Sequence, residues 1–157
     1  MVLSHCILVI IVAGLLATTA MTLFVLLVNK LTGKRLNVIR ILGTMLTSKT
    51  EADGSTASTP GVFVAGVTAH YAVGFLFTAL YVIAWERGLL EYTTADCAII
   101  GFVTGLFGIM VWRIYFAIHR FPPAVNLNIY LPTILFAHVV FGIVAGWTYM
   151  LMRNPGI

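Results

Sequence analysis

Two histidines recur in one pattern. The stretch AHYAVGFLFTALY runs from Ala69 to Tyr81, and AHVVFGIVAGWTY runs from Ala137 to Tyr149. Each reads Ala-His, three residues, Gly, six residues, Tyr, and each lies inside a long apolar run. Alanine and glycine are common in this chain, but there are only 4 histidines, so the match in histidine carries the weight. Positions i, i+4, i+7 and i+11 share one helix face. His70, Gly74, Phe77 and Tyr81 therefore form one stripe, and His138, Gly142, Ala145 and Tyr149 form a second.

An ionisable ring inside an apolar segment points to function, and three kinds of chemistry fit. A neutral imidazole can bond across helices and fix their rotation, an interaction of about 0.6 kcal/mol. Two imidazoles at one depth can instead ligate a b-type haem iron axially, the only metal this set suggests. In that reading Gly74 and Gly142 leave room for the macrocycle, and Arg113 or Arg120 pairs with a propionate. Histidine also titrates near neutrality and can relay protons. A pump or transporter would want carboxylates as well, whereas Glu51, Asp53, Glu86, Glu91 and Asp96 all fall in loops or at segment ends. There is no glycine-rich phosphate loop, no His-Glu-x-x-His helix and no nucleophile with a base, so no catalytic residue is assigned.

The elements that position these rings follow from composition. Of 157 residues, 61% are hydrophobic and 9% charged, against roughly 25% charged in soluble domains. Mean hydropathy is +1.04. Such a chain is covered largely by lipid, as one membrane domain. The net charge of +4 follows from topology rather than from a nucleic-acid partner. Cys6 and Cys97 form no ligand pattern; they lie on one side of the membrane, and their spacing alone establishes no disulfide.

A span needs about 20 apolar residues. Four segments qualify: residues 3–28, ended by Asn29-Lys30; 61–85, ended by Glu86-Arg87; 95–118; and 131–152, ended by Arg153. In lipid these must be helices. The N-terminal run has no basic n-region and is too long for a signal peptide, so it is expected to be retained as the first span. Thr59-Pro60 and Thr93 with Asp96 mark helix starts. Pro122-Pro123 stops the third span, and Pro132 is expected in the first turn of the fourth. Lys30, Lys34, Arg35, Arg40, Lys49, Arg113 and Arg120 fall on one side, and Arg87 and Arg153 on the other. This bias predicts a cytoplasmic side for the first group and both termini outside. Trp85, Trp147 and Tyr149 are expected at the outer interface, with Ser4 and His5 facing headgroups. Between the first two spans, residues 36–46 have helical apolar spacing. They are expected either as a short interfacial helix or as a helix packed on the end of the bundle. Residues 47–59 are expected as a mobile loop.

The histidine repeat falls on the second and fourth spans, which run in the same direction. It suggests two duplicated helical hairpins related by an axis along the membrane normal. Both rings then lie ~10–14 Å from the cytoplasmic end and face each other. Ala13, Ala17 and Ala20 on the first span, and Gly101, Gly105 and Gly108 on the third, form small-residue stripes that suit close helix packing.

GLLATTAMTLF, RILGTML and the two histidine stretches together resemble a loose group of small bacterial four-span membrane proteins of unknown function. The resemblance implies four helices in a prokaryotic cytoplasmic membrane and brings no functional residues with it. The expected protein is an all-α integral membrane four-helix bundle. Its expected role is that of a small non-enzymatic subunit or accessory factor in a larger membrane assembly, a respiratory complex being one candidate, with lipid and other subunits or its own copies as partners. A haem b electron-transfer subunit using His70 and His138 is the alternative, and a small transporter or channel the third reading.

Overall fold

The computed structural model describes residues 3–34 and 36–153. Five helices follow one another: α1 (Leu3–Thr32), α2 (Val38–Thr47), α3 (Pro60–Glu86), α4 (Thr94–Ile118) and α5 (Leu127–Arg153). All but α2 are long and apolar enough to cross a membrane. The chain is an all-α, multi-pass membrane protein built as a four-helix bundle.

Most helix ends match the expected signals. Thr93 accepts a bond from the Asp96 amide at 3.2 Å, one half of a capping box, and its hydroxyl donates to the Asp96 carboxylate. Pro60 occupies the first turn of α3, where its missing N–H costs nothing. Two ends differ. Helix α1 continues through Asn29 and Lys30, because a lysine near a helix C-terminus interacts favourably with the dipole. The Asn29 side chain then accepts from the Leu36 amide at 2.7 Å and turns the chain toward α2. Helix α5 begins at Leu127, with the Asn126 carbonyl taking the amides of Ile129 and Tyr130. Pro132 therefore lies in the second turn, not the first.

Hydrocarbon supplies no hydrophobic drive between helices, so close packing needs small side chains at the crossings. Helix α4 packs on α5, α5 on α1, α1 on α3, and α2 across the start of α3. A Cβ added at Gly142 would strike the Cys97 carbonyl oxygen, and one at Gly101 the His138 carbonyl oxygen. A Cβ at Gly74 would strike the Thr18 hydroxyl of α1. Each hairpin thus closes at the glycine that follows its repeated histidine by one turn. The pseudo-two-fold stops there: α1 and α5 are in close contact, whereas α3 and α4, their counterparts, stand apart.

Of the two expectations for α2, packing on the bundle end matches. Val38, Ile41, Thr44 and Met45 are buried, and Arg40 and Leu46 are exposed. Gly43 lies on the Val62 carbonyl and Gly66 on the Ile39 carbonyl, so the two backbones touch. Residues 47–59, expected as a mobile loop, are tied down at several points. Thr50 donates to the Phe121 carbonyl at 2.6 Å, Ala124 N–H to the Gly54 carbonyl at 2.8 Å, and Ala57 N–H to Thr44 at 3.0 Å. The His119 ring bonds the Met45 carbonyl at 2.8 Å. The bonds to His119, Phe121 and Ala124 join α2 and the α2–α3 connection to the α4–α5 connection.

At the opposite end, Tyr149 donates to Glu86 at 2.6 Å and accepts from Arg153 at 2.8 Å. His5 bonds the Met152 carbonyl at 3.1 Å, joining α1 to the end of α5 instead of facing headgroups. Trp85 and Tyr149 are buried and stack at 4.8 Å, so they belong to the core and not to an interfacial belt. Trp147 is exposed and donates to Thr94 at 3.0 Å.

The crossings predict a contrast between two glycine substitutions. Gly142→Ala forces α4 and α5 apart and should cost about 1–3 kcal/mol. Gly61→Ala meets nothing within 4 Å and should stay within about 0.5 kcal/mol of the parent. Denaturation in mixed micelles, followed by circular dichroism, checks both.

Candidate functional site

The gap between α3 and α4 is closed at both ends. At one, Tyr81 of α3 donates to Thr104 of α4 at 2.7 Å, while the Thr104 proton goes to its own helix at the Ile100 carbonyl, 2.9 Å away. At the other, α2 lies beneath with Val38 and Leu42. Between them is a cavity of about 390 Å³, within the usual range for ligand sites, roughly 300–1,000 Å³. Phe77, Trp112, Tyr115 and Phe141 wall it. Val73 and Leu76 of α3 face Phe107 and Val111 of α4 across its mouth. All four are exposed on the surface that lipid covers. No charged side chain is among its lining residues.

His70 and His138 both line this cavity. The two rings of the repeat thus border one space. Each ring has one nitrogen engaged. His138 Nδ1 lies 2.8 Å from the Ile134 carbonyl. A carbonyl only accepts, so Nδ1 carries the proton and Nε2 carries a lone pair. His70 Nε2 lies 3.0 Å from the Thr22 hydroxyl. The single Thr22 proton goes to the Thr18 carbonyl at 2.7 Å. His70 Nε2 must therefore donate to Thr22, and its Nδ1 carries the lone pair. The two imidazoles are held as opposite tautomers. Each presents an acceptor nitrogen that no hydrogen bond among the described residues engages.

The other expected site residues divide. Gly108 seats the His138 ring: a Cβ there would approach Cε1 to 3.2 Å. Phe77 meets the same ring edge-on at 6.2 Å. Gly74 lines the cavity but chiefly seats Thr18, and Gly142 faces α4 outside the cavity lining. Arg113 and Arg120 are exposed, neither lines the cavity, and Arg120 lies over the Phe121 ring at 5.2 Å. Among the packing residues, Ala13, Ala17, Gly101 and Gly105 are buried, and Ala20 and Gly108 half-buried. Cys6 and Cys97 are free thiols. Among the described residues, no group of three or more histidine, cysteine, aspartate or glutamate side chains is placed to hold a metal.

Sequence reasoning missed Thr22 and the role of α2 as floor. Thr18, Thr19 and Thr22 break an otherwise apolar span, and that interruption was the available signal for a polar partner.

Opposite tautomers are directly measurable. In ¹⁵N-histidine spectra of the protein in lipid nanodiscs, His138 should show a protonated Nδ1 and His70 a protonated Nε2. Thr22→Val should abolish the preference at His70 and leave His138 unchanged.

Comparison with known protein families, curated proteins and solved structures finds no match to this chain.

Proposed function

We propose that the chain is a small, non-enzymatic membrane subunit or accessory factor that holds a lipid-soluble molecule in the cavity between α3 and α4. The observation that carries this reading is a ligand-sized, uncharged cavity whose mouth faces the acyl chains. A molecule reaching it must come from the bilayer, and an uncharged wall favours a neutral one. The subunit role is supported by α4. Only 17% of its apolar window is buried, against 50% for α5. Ile99, Phe102, Val103 and Leu106 leave an apolar face for a neighbouring subunit or a second copy. The Lys/Arg bias supports an orientation with both termini outside, and the resemblance to small bacterial four-span proteins supports a prokaryotic cytoplasmic membrane.

A second reading, one haem b held by both histidines, is favoured by His138. Its Nδ1–H on a backbone carbonyl is the usual outer bond of a metal-ligating imidazole. His70 fits less well, since its Nε2 donates to Thr22. No arginine lines the cavity to meet a propionate. The donor set supports one axial position better than two.

Native mass spectrometry of gently extracted protein tests the first reading. A lipid-soluble adduct should be present and should be lost in Val111→Trp, which fills the mouth. It should persist in Leu8→Trp, a substitution on the exposed surface of α1. An adduct unaffected by Val111→Trp would sink the cavity reading. A reduced-minus-oxidised spectrum tests the second; no Soret band in fully loaded material removes haem.

A further inference from the structure

We propose that the cavity takes a hydroquinone head, gripped through its hydroxyl protons by His70 and His138. The inference rests on the cavity-binding reading and names the ligand class. Three observations carry it.

The first is the polarity of the two rings. Both protons are donated inward, to the Ile134 carbonyl and to Thr22. Carbonyl acceptors one turn back hold both assignments: Ile134 directly, and Thr18 through Thr22. What these rings offer a ligand is therefore lone pairs. A ligand that only accepts, such as a quinone, places carbonyl oxygen against bare nitrogen. A ligand that donates satisfies it.

The second is the arrangement. The acceptors come from different helices, α3 and α5, yet line one cavity. A ring with hydroxyls at opposite ends can meet both, whereas a monohydroxy alcohol meets one.

The third is the wall. Phe77, Trp112, Tyr115 and Phe141 surround the space, and aromatic faces and edges suit a flat ring. The lipid-facing mouth between Val73, Leu76, Phe107 and Val111 leaves an isoprenoid or alkyl tail in the acyl region.

The test uses the full chain in nanodiscs and a neutral benzophenone-tailed hydrocarbon as photoprobe. Saturable labelling of the α4 peptide that contains Trp112 reports cavity occupancy, with Val111→Trp as background. An alkyl benzohydroquinone, kept reduced, and its benzoquinone then compete. Two hydroxyl-to-imidazole bonds predict that the hydroquinone competes at about tenfold lower concentration. His138→Phe and His70→Phe should each shrink that ratio without weakening competition by the quinone, which also shows that the variants fold. Equal or better competition by the quinone, or none by either form, overturns the hydroquinone assignment and leaves the cavity reading standing. No saturable labelling overturns the cavity reading, and the assignment with it.

Discussion

In hydrocarbon, a polar proton has no water to go to. Most threonines of the transmembrane helices, and His138, answer this in one way: the side-chain donor returns to the carbonyl one turn back, whereas the Thr18 hydroxyl, the Trp85 indole N–H and the Tyr130 hydroxyl are buried with no partner among the described residues. Thr19 bonds Leu15, Thr22 bonds Thr18, Thr78 bonds Gly74, and Thr104 bonds Ile100. Thr133 bonds Ile129, His138 bonds Ile134, and Thr148 bonds Val144. Such back-bonding satisfies the donor locally and leaves the oxygen or second nitrogen free to accept. The rest of the interior chemistry follows from this. Thr104 can receive the Tyr81 proton because its own is already engaged. Thr22 can receive a proton from His70 for the same reason. His70 and His138 bring acceptors to the cavity because their own protons are already engaged.

The second constraint is contact distance. Glycines bring backbones together at the α4–α5 and α2–α3 crossings, and the same small residues fix where histidines point. Gly101 lies on the His138 backbone and Gly108 on the His138 ring. One stripe thus serves packing and ring orientation together. Where no such crossing joins α3 to α4, the helices part and the cavity results. Symmetry between the hairpins holds at Gly74 and Gly142 and fails at this opening. The failure is what leaves room beside both rings.

Much of this was legible in the residues alone. Length and hydropathy marked the four spans, because lipid imposes a near-absolute rule on segment composition. The offset between His70 and Gly74, repeated at His138 and Gly142, singled out the two rings, and both line one cavity. What escaped reading depended on contacts between distant segments. Nothing local distinguishes Thr22 from Thr19, yet only one meets His70, while the other meets Tyr71 at 3.0 Å. Trp85 and Tyr149 look like belt aromatics by position, but they stack inside because Tyr149 can reach Glu86 and Arg153. The polar run 47–59 looks loose by composition. Its bonds run to residues far along the chain, which no window of sequence contains.

The ties between the two connecting segments also bear on biogenesis. The α1–α3 hairpin, with α2 laid across it, has its contacts in hand before the second half of the chain is made. Met45, Thr50 and Gly54 have to wait for His119, Phe121 and Ala124. The two halves are therefore joined late, by α5 packing on α1 within the hydrocarbon and by this small set of bonds outside it. The vestibule beside the imidazoles comes into being at that last step, so an unfinished or mispaired chain has nowhere to lodge a guest.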